Sequence, residues 1–122
     1  MTRAEFNAFC RSLPQSTHVV QWGGSDVWKV GGKVFAIGVP SEAGLAVTFK
    51  TSEIAYRLLS QQPGCRPAPY LASRGMKWIQ RTAATGLSDN DLKAYLRQSY
   101  LIVVAGLTKK TRAQLGLVDP LA

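Results

Sequence analysis

The sequence predicts an α+β fold, a two-layer sandwich in which an antiparallel sheet carries helices packed mainly on one face. Strand-like runs separated by single helices, with no βαβα rhythm and no internal repeat, argue against a parallel sheet. Gly31-Gly32 joins two apolar runs as a two-residue hairpin. Helix-capping patterns stand near both ends, at Thr2/Glu5 and at Ser88/Asp91. With 122 residues, 46% of them hydrophobic and 18% charged, one folded domain spanning residues 1–122 is expected.

The elements follow in order. Thr2 and Glu5 form a capping box ahead of Phe6, Phe9, Cys10 and Leu13, which recur at helical spacing until Pro14 stops them. His18 to Trp22 is a short strand bounded by Gly23-Gly24. Val27 to Val30 and Lys33 to Val39 flank the hairpin turn. In that register Trp28 faces Phe35 and Lys29 faces Val34, with Val30 and Ile37 on the aromatic side. Pro40 to Gly44 turns the chain. Leu45, Val47 and Phe49 then alternate with Ala46, Thr48 and Lys50, a strand with one buried and one open face and Lys50 pointing outward. Thr51 or Ser52 caps a second helix with Ile54, Ala55, Leu58 and Leu59 on its apolar stripe, ended by Pro63-Gly64. Cys65 to Pro69 is expected to hold no ladder, being proline-rich. Tyr70-Leu71 and Lys77 to Thr82 read as strands around a Ser73-Arg74-Gly75 turn, a second hairpin or wing. In the third helix Leu92, Leu96, Ser99, Val103 and Leu107 repeat at helical spacing behind the Ser88/Asp91 cap.

Charge is the strongest compositional signal. Fifteen Lys and Arg against seven Asp and Glu give a net charge of +8. Glu5, Glu53, Asp89 and Asp91 fall at helix starts, where they favour the positive end of the helix dipole. The stretches from Arg57 to Arg81 and from Lys93 to Arg112 contain no acid, so much of the surface should be positive. No apolar run approaches the ~20 residues that span a bilayer, and no signal peptide precedes the first helix, so a cytoplasmic protein without membrane contact is expected.

Several stretches together resemble one family over nearly the whole chain. They are Asp26-Val27-Trp28-Lys29-Val30 before Lys33-Val34-Phe35-Ala36, then Val47-Thr48-Phe49-Lys50, Pro69-Tyr70, Lys77-Trp78-Ile79, and Ser99-Tyr100 ahead of Lys109-Lys110-Thr111-Arg112. In this ordered set the chain resembles the MmcQ/YjbR family. The resemblance implies a fold similar to bacterial frataxin and a DNA-binding role of double-wing type, an analogy that supports architecture better than function. Iron handling, which the frataxin comparison would also imply, looks dependent on an acidic ridge of the first helix. Here that helix carries Arg3 and Arg11 against Glu5 alone, and no Asp/Glu cluster could ligate a hard cation. The chain departs from the family's expected His- or Met-rich stretch after Pro69-Tyr70, reading Leu71-Ala72-Ser73-Arg74-Gly75.

Chemistry of other kinds finds little purchase. One histidine, His18, has no partner in sequence that would orient it for acid–base work. Cys10 and Cys65 lack a CxxC spacing and are expected to be free thiols, with Arg66 beside Cys65 as the one feature that could activate it. Gly23-Gly24 and Gly31-Gly32 are turns, since no Lys-Ser/Thr helix start follows either. No cofactor and no metal are expected.

Trp28, Phe35, Phe49 and Tyr100 are assigned to the core. Trp78 is exposed if Ile79 points inward, which would give a wing both basic and aromatic. The expected function is therefore binding of DNA or another polyanion, without catalysis, through Lys33, Lys50, Arg74, Lys77, Trp78 and Arg81 on two wings of one sheet. The alternative is a protein-interaction adaptor. The protein is expected to be a monomer, with a protein partner possible.

Overall fold

A computed structural model describes residues 1–42, 44–69, 71 and 75–117. Its elements are α1 (Arg3–Ser12), β1 (Ser16–Gln21), β2 (Ser25–Val30), β3 (Lys33–Ser41), β4 (Gly44–Lys50), α2 (Glu53–Leu59), β5 (Cys65–Pro67), β6 (Trp78–Arg81), α3 (Asp89–Ala105) and α4 (Lys109–Gln114). The strands form one antiparallel sheet in the order β1-β2-β3-β4-β6-β5. The α+β fold with helices on one face of that sheet is the architecture expected from the sequence.

Each long helix starts where its cap dictates. The Thr2 side chain accepts from the Glu5 N–H while Glu5 accepts from the Thr2 N–H, closing the capping box of α1. Ser52 caps α2 and Ser88 caps α3 by accepting from the N–H three residues on. The core forms between helices and sheet. Phe6, Cys10 and Leu13 of the α1 region and Leu92, Leu96, Tyr100, Val103 and Val104 of α3 pack on Trp28, Val30, Phe35, Val47, Phe49 and Ile79. Two glycines mark close approaches. A Cβ on Gly38 would sit 2.7 Å from the Phe6 ring, and one on Gly31, whose φ is +58°, would sit 2.7 Å from Leu107. The hairpin turn is thus pinned to the end of α3.

The structure corrects several local expectations. Trp28 pairs with Ala36, not Phe35, because the register shifts between Trp28 and Lys29, leaving Phe35 as the extra residue of a bulge. The bulge lets Phe35 reach the helix side, where its ring meets Tyr100 edge-on at 5.5 Å. Ile37 pairs with Val27 and lies on the other face. Cys65 to Pro67 does hold a ladder, on β6, which works because β5 is an edge strand and tolerates a proline. Of the expected Tyr70-Leu71 strand, Tyr70 lies outside the described residues, and Leu71 sits in a turn where its carbonyl accepts from the Met76 N–H. On α2 only Ala55 and Leu59 of the expected stripe are buried, while Ile54 is 74% and Leu58 58% exposed. The helix α4, capped by Thr108, was not anticipated because its short polar sequence has no apolar period.

Nor is the far face of the sheet open. Val27, Ala46, Thr48 and Gln80 on that side are all buried. Arg66 donates twice to Gln80 Oε1 at 3.0 and 2.6 Å, and Gln80 donates to Thr48 Oγ1 at 3.2 Å, tying β5, β6 and β4 across it. Beside these bonds a mostly apolar concavity of about 470 Å³ lies among Trp22, Ile37, Val39, Ala68, Pro69 and Leu71.

Candidate nucleic-acid interface

The antiparallel topology sorts charge to opposite ends of the molecule. Strands β2 and β4 and helix α3 run one way, β3 and β6 the other. One end therefore collects the starts of β2 and α3, the close of β3 and the start of α1. It carries Asp26, Glu42, Glu5, Asp89 and Asp91. Three of its cations are held: Arg3 binds Asp26 at 2.6 Å, Arg81 binds Asp89 at 2.7 Å, and the terminal ammonium binds Asp89 at 3.1 Å. The guanidinium of Arg3 keeps the Asp26 carboxyl below the usual carboxylate range, with His18 Nε2 adding a bond at 2.8 Å, and that of Arg81 does the same for Asp89.

The opposite end gathers the β2–β3 turn, the end of β4, the start of β6 and the α3–α4 corner, and with them Lys33, Lys50, Lys77, Lys109 and Lys110. The one acid there, among the described residues, is Glu53, which is paired with Arg57 at 3.1 Å. Ser99 locks this end together. Its buried hydroxyl donates to the Phe35 carbonyl at 2.6 Å and accepts from the Lys50 N–H at 2.9 Å, binding β3 and β4 to α3. Thr51 N–H donates to the Lys77 carbonyl at 2.9 Å, fixing the end of β4 to the entry of β6. Lys77 Nζ lies 4.8 Å over the Tyr56 ring, a cation–π contact that orders the side chain while leaving it exposed.

The six residues anticipated from the sequence thus divide. Lys33, Lys50 and Trp78 line one cavity of about 400 Å³ together with Val34, Met76, Ile102, Val103 and Gly106. Lys77 adjoins it in the chain. Arg81 is removed to the far end: it is 3% exposed and donates to the Leu87 carbonyl and to Asp89, so no partner could reach its charge. Trp78 is 5% exposed, not the open ring that an inward Ile79 would imply, because both faces of β6 are covered. Its indole N–H is buried with no acceptor among the described residues. Arg74 lies outside the described residues.

The candidates for other chemistry are occupied. His18 is bound to Asp26 and its ring lies 4.7 Å from Trp28. Burial pushes the Cys65 thiol up, outweighing the opposite pull of Arg81, and burial raises Cys10 further. Among the described residues no three His, Cys, Asp or Glu side chains stand together as a metal site would need. No described helix is long and apolar enough to cross a membrane.

The YjbR family model matches residues 11–102, from the end of α1 to the last turn of α3, which lines the cavity. The chain belongs to the YjbR family. Among solved structures this YjbR chain is similar to DR2400 of Deinococcus radiodurans, which carries the DUF419 domain. The two are 26% identical with a TM-score of 0.81, over 97% of this chain and 90% of that one. It also shares the fold of a Pseudomonas syringae protein at 17% identity and a TM-score of 0.63, over 81% of this chain and 96% of that one. No curated protein matches the sequence. Lys109 and Lys110 stand at this same end without having been among the six residues expected from the sequence. Their signal was the Thr108 cap beyond Leu107, which folds the chain back at the basic end.

Proposed function

We propose that this protein is a non-catalytic polyanion binder, of the DNA-binding type, that engages phosphates with the end carrying Lys33, Lys50, Lys77, Lys109 and Lys110. One observation carries the reading: among the described residues the topology leaves these ammoniums with a single, already paired, acid among them, while the other described acids gather at the far end. Exposed cations without local partners raise the potential over a surface and attract a polyanion through counterion release. The site is one end of a sandwich rather than two wings. Arg81, needed for the second wing, is spent on Asp89.

The test is fluorescence anisotropy of labelled DNA at low salt. The Lys33→Ala/Lys50→Ala/Lys77→Ala protein should bind at least tenfold more weakly than the parent, as expected when several phosphates are left without a cation. Lys93→Ala, near the acidic end of α3, should bind like the parent. A loss in Lys93→Ala of about one third of the triple variant's loss in log affinity, the same per charge, would mean that net charge, and not this end, governs binding.

A second reading, a protein adaptor, is favoured by one feature. Ile54 and Leu58 stand four residues apart on α2 and are largely exposed. If DNA binding fails while Ile54→Ser/Leu58→Ser abolishes capture of a partner, this reading takes its place.

A further inference from the structure

We propose that the cavity at the basic end accepts one unstacked nucleobase, so that the protein prefers a single strand to a duplex. The inference rests on the polyanion reading above and names the form of the polymer.

The cavity, about 400 Å³, falls within the range of ~300–1,000 Å³ typical of small-molecule sites and has room for a base with its sugar. Its walls are the apolar side chains of Val34, Ile102, Val103 and Met76 with Trp78, and Lys33 and Lys50 stand at it as cations. A base within a strand has this same pattern: a flat, weakly polar body with a phosphate on either side. A duplex cannot present it, because its bases are stacked and paired inside.

Trp78 selects among apolar occupants once its N–H, sealed from the open cavity, is uncovered. A buried polar group without a partner is rare in native proteins and calls for a ligand, a water or an ion to satisfy it. Among the described residues the indole N–H of Trp78 has no such partner, and it can only donate. A base offers acceptors at its carbonyls and ring nitrogens, whereas an aliphatic chain offers none. Met76, 41% exposed and with a flexible thioether, is the wall that can shift to admit the base edge.

The experiment compares three DNAs of equal phosphate number, a single strand, the same strand made abasic, and a duplex, by anisotropy at low salt. The intact single strand should bind about tenfold more tightly than the other two, the size expected of one buried base. Val34→Phe, which fills the cavity from a half-buried position, should reduce the single strand to the level of the abasic strand. Trp78→Phe keeps an aromatic ring, though a smaller one, and removes the donor, and should weaken the single strand while leaving the duplex unchanged. Equal affinity for all three DNAs would overturn base insertion and leave phosphate binding standing. No binding of any DNA would overturn both.

Discussion

Trp28 shows how one residue serves fold and charge together. Its ring is 1% exposed, its N–H donates to Asn7 Oδ1 at 2.9 Å, and Arg11 lies 5.2 Å over its face. Trp28→Ala should cost about 3 to 5 kcal/mol in denaturant titration, the range for a large aromatic leaving a cavity. A change under ~1 kcal/mol would mean that the ring contributes little to the core. Ser99 is the polar counterpart. Removing its hydroxyl strands the Phe35 carbonyl and the Lys50 N–H, so Ser99→Ala should cost about 2 kcal/mol despite the small change in volume. Stability unchanged in the same titration would show that water replaces the hydroxyl. At this scale the core aromatics were legible in the sequence because alternation marks buried faces. Trp78 was not, since alternation along one strand cannot show that both of its faces are covered, as those of β6 are.

Among elements, a capping box announced α1 and capping residues announced α2 and α3, because a cap is a local event of three or four residues. Sheet order was beyond local reading. Strand β6 pairs with β4 through Lys50 and Trp78, which stand on either side of α2 and β5 in the chain, and β5 then fills the edge. The contacts between elements also set the response to acid. Asp26 joins β2 to α1 through Arg3, and Asp89 joins α3 to β6 through Arg81. Both carboxyls are held below their ordinary range in the folded protein. Their contribution is therefore complete above the unfolded carboxylate pKa of about 3.9 and disappears as the pH falls through the lower folded values. Thermal melts should show a midpoint steady near neutrality and dropping below about pH 4, with a shallower drop in Asp26→Asn. An equal acid dependence in that variant would show that the Arg3 pair does not couple to folding.

For the whole molecule, composition disclosed a charge of +8 but not where it sits. The polarity arises only when alternate strands reverse direction, which carries Lys33 and Lys50, on different strands, to one cavity and sends Arg81 to the other end. Lys33, Lys50 and Lys77 were legible as basic residues at strand ends. That Arg81 would be consumed by Asp89 was not, because their ion pair depends on how the loop from Thr82 to Ser88 folds. The central claim is that the end of the sandwich carrying these lysines meets phosphates. The measurement that tests it most directly is the slope of log affinity against log salt concentration for single-stranded DNA. It should be taken for the parent and for the Lys33→Ala/Lys50→Ala/Lys77→Ala variant, with circular dichroism confirming that the variant is folded. The predicted slope is flatter by about two units in the variant, roughly 0.7 for each phosphate of a single strand that is no longer neutralised. The same slope in both proteins would contradict the claim.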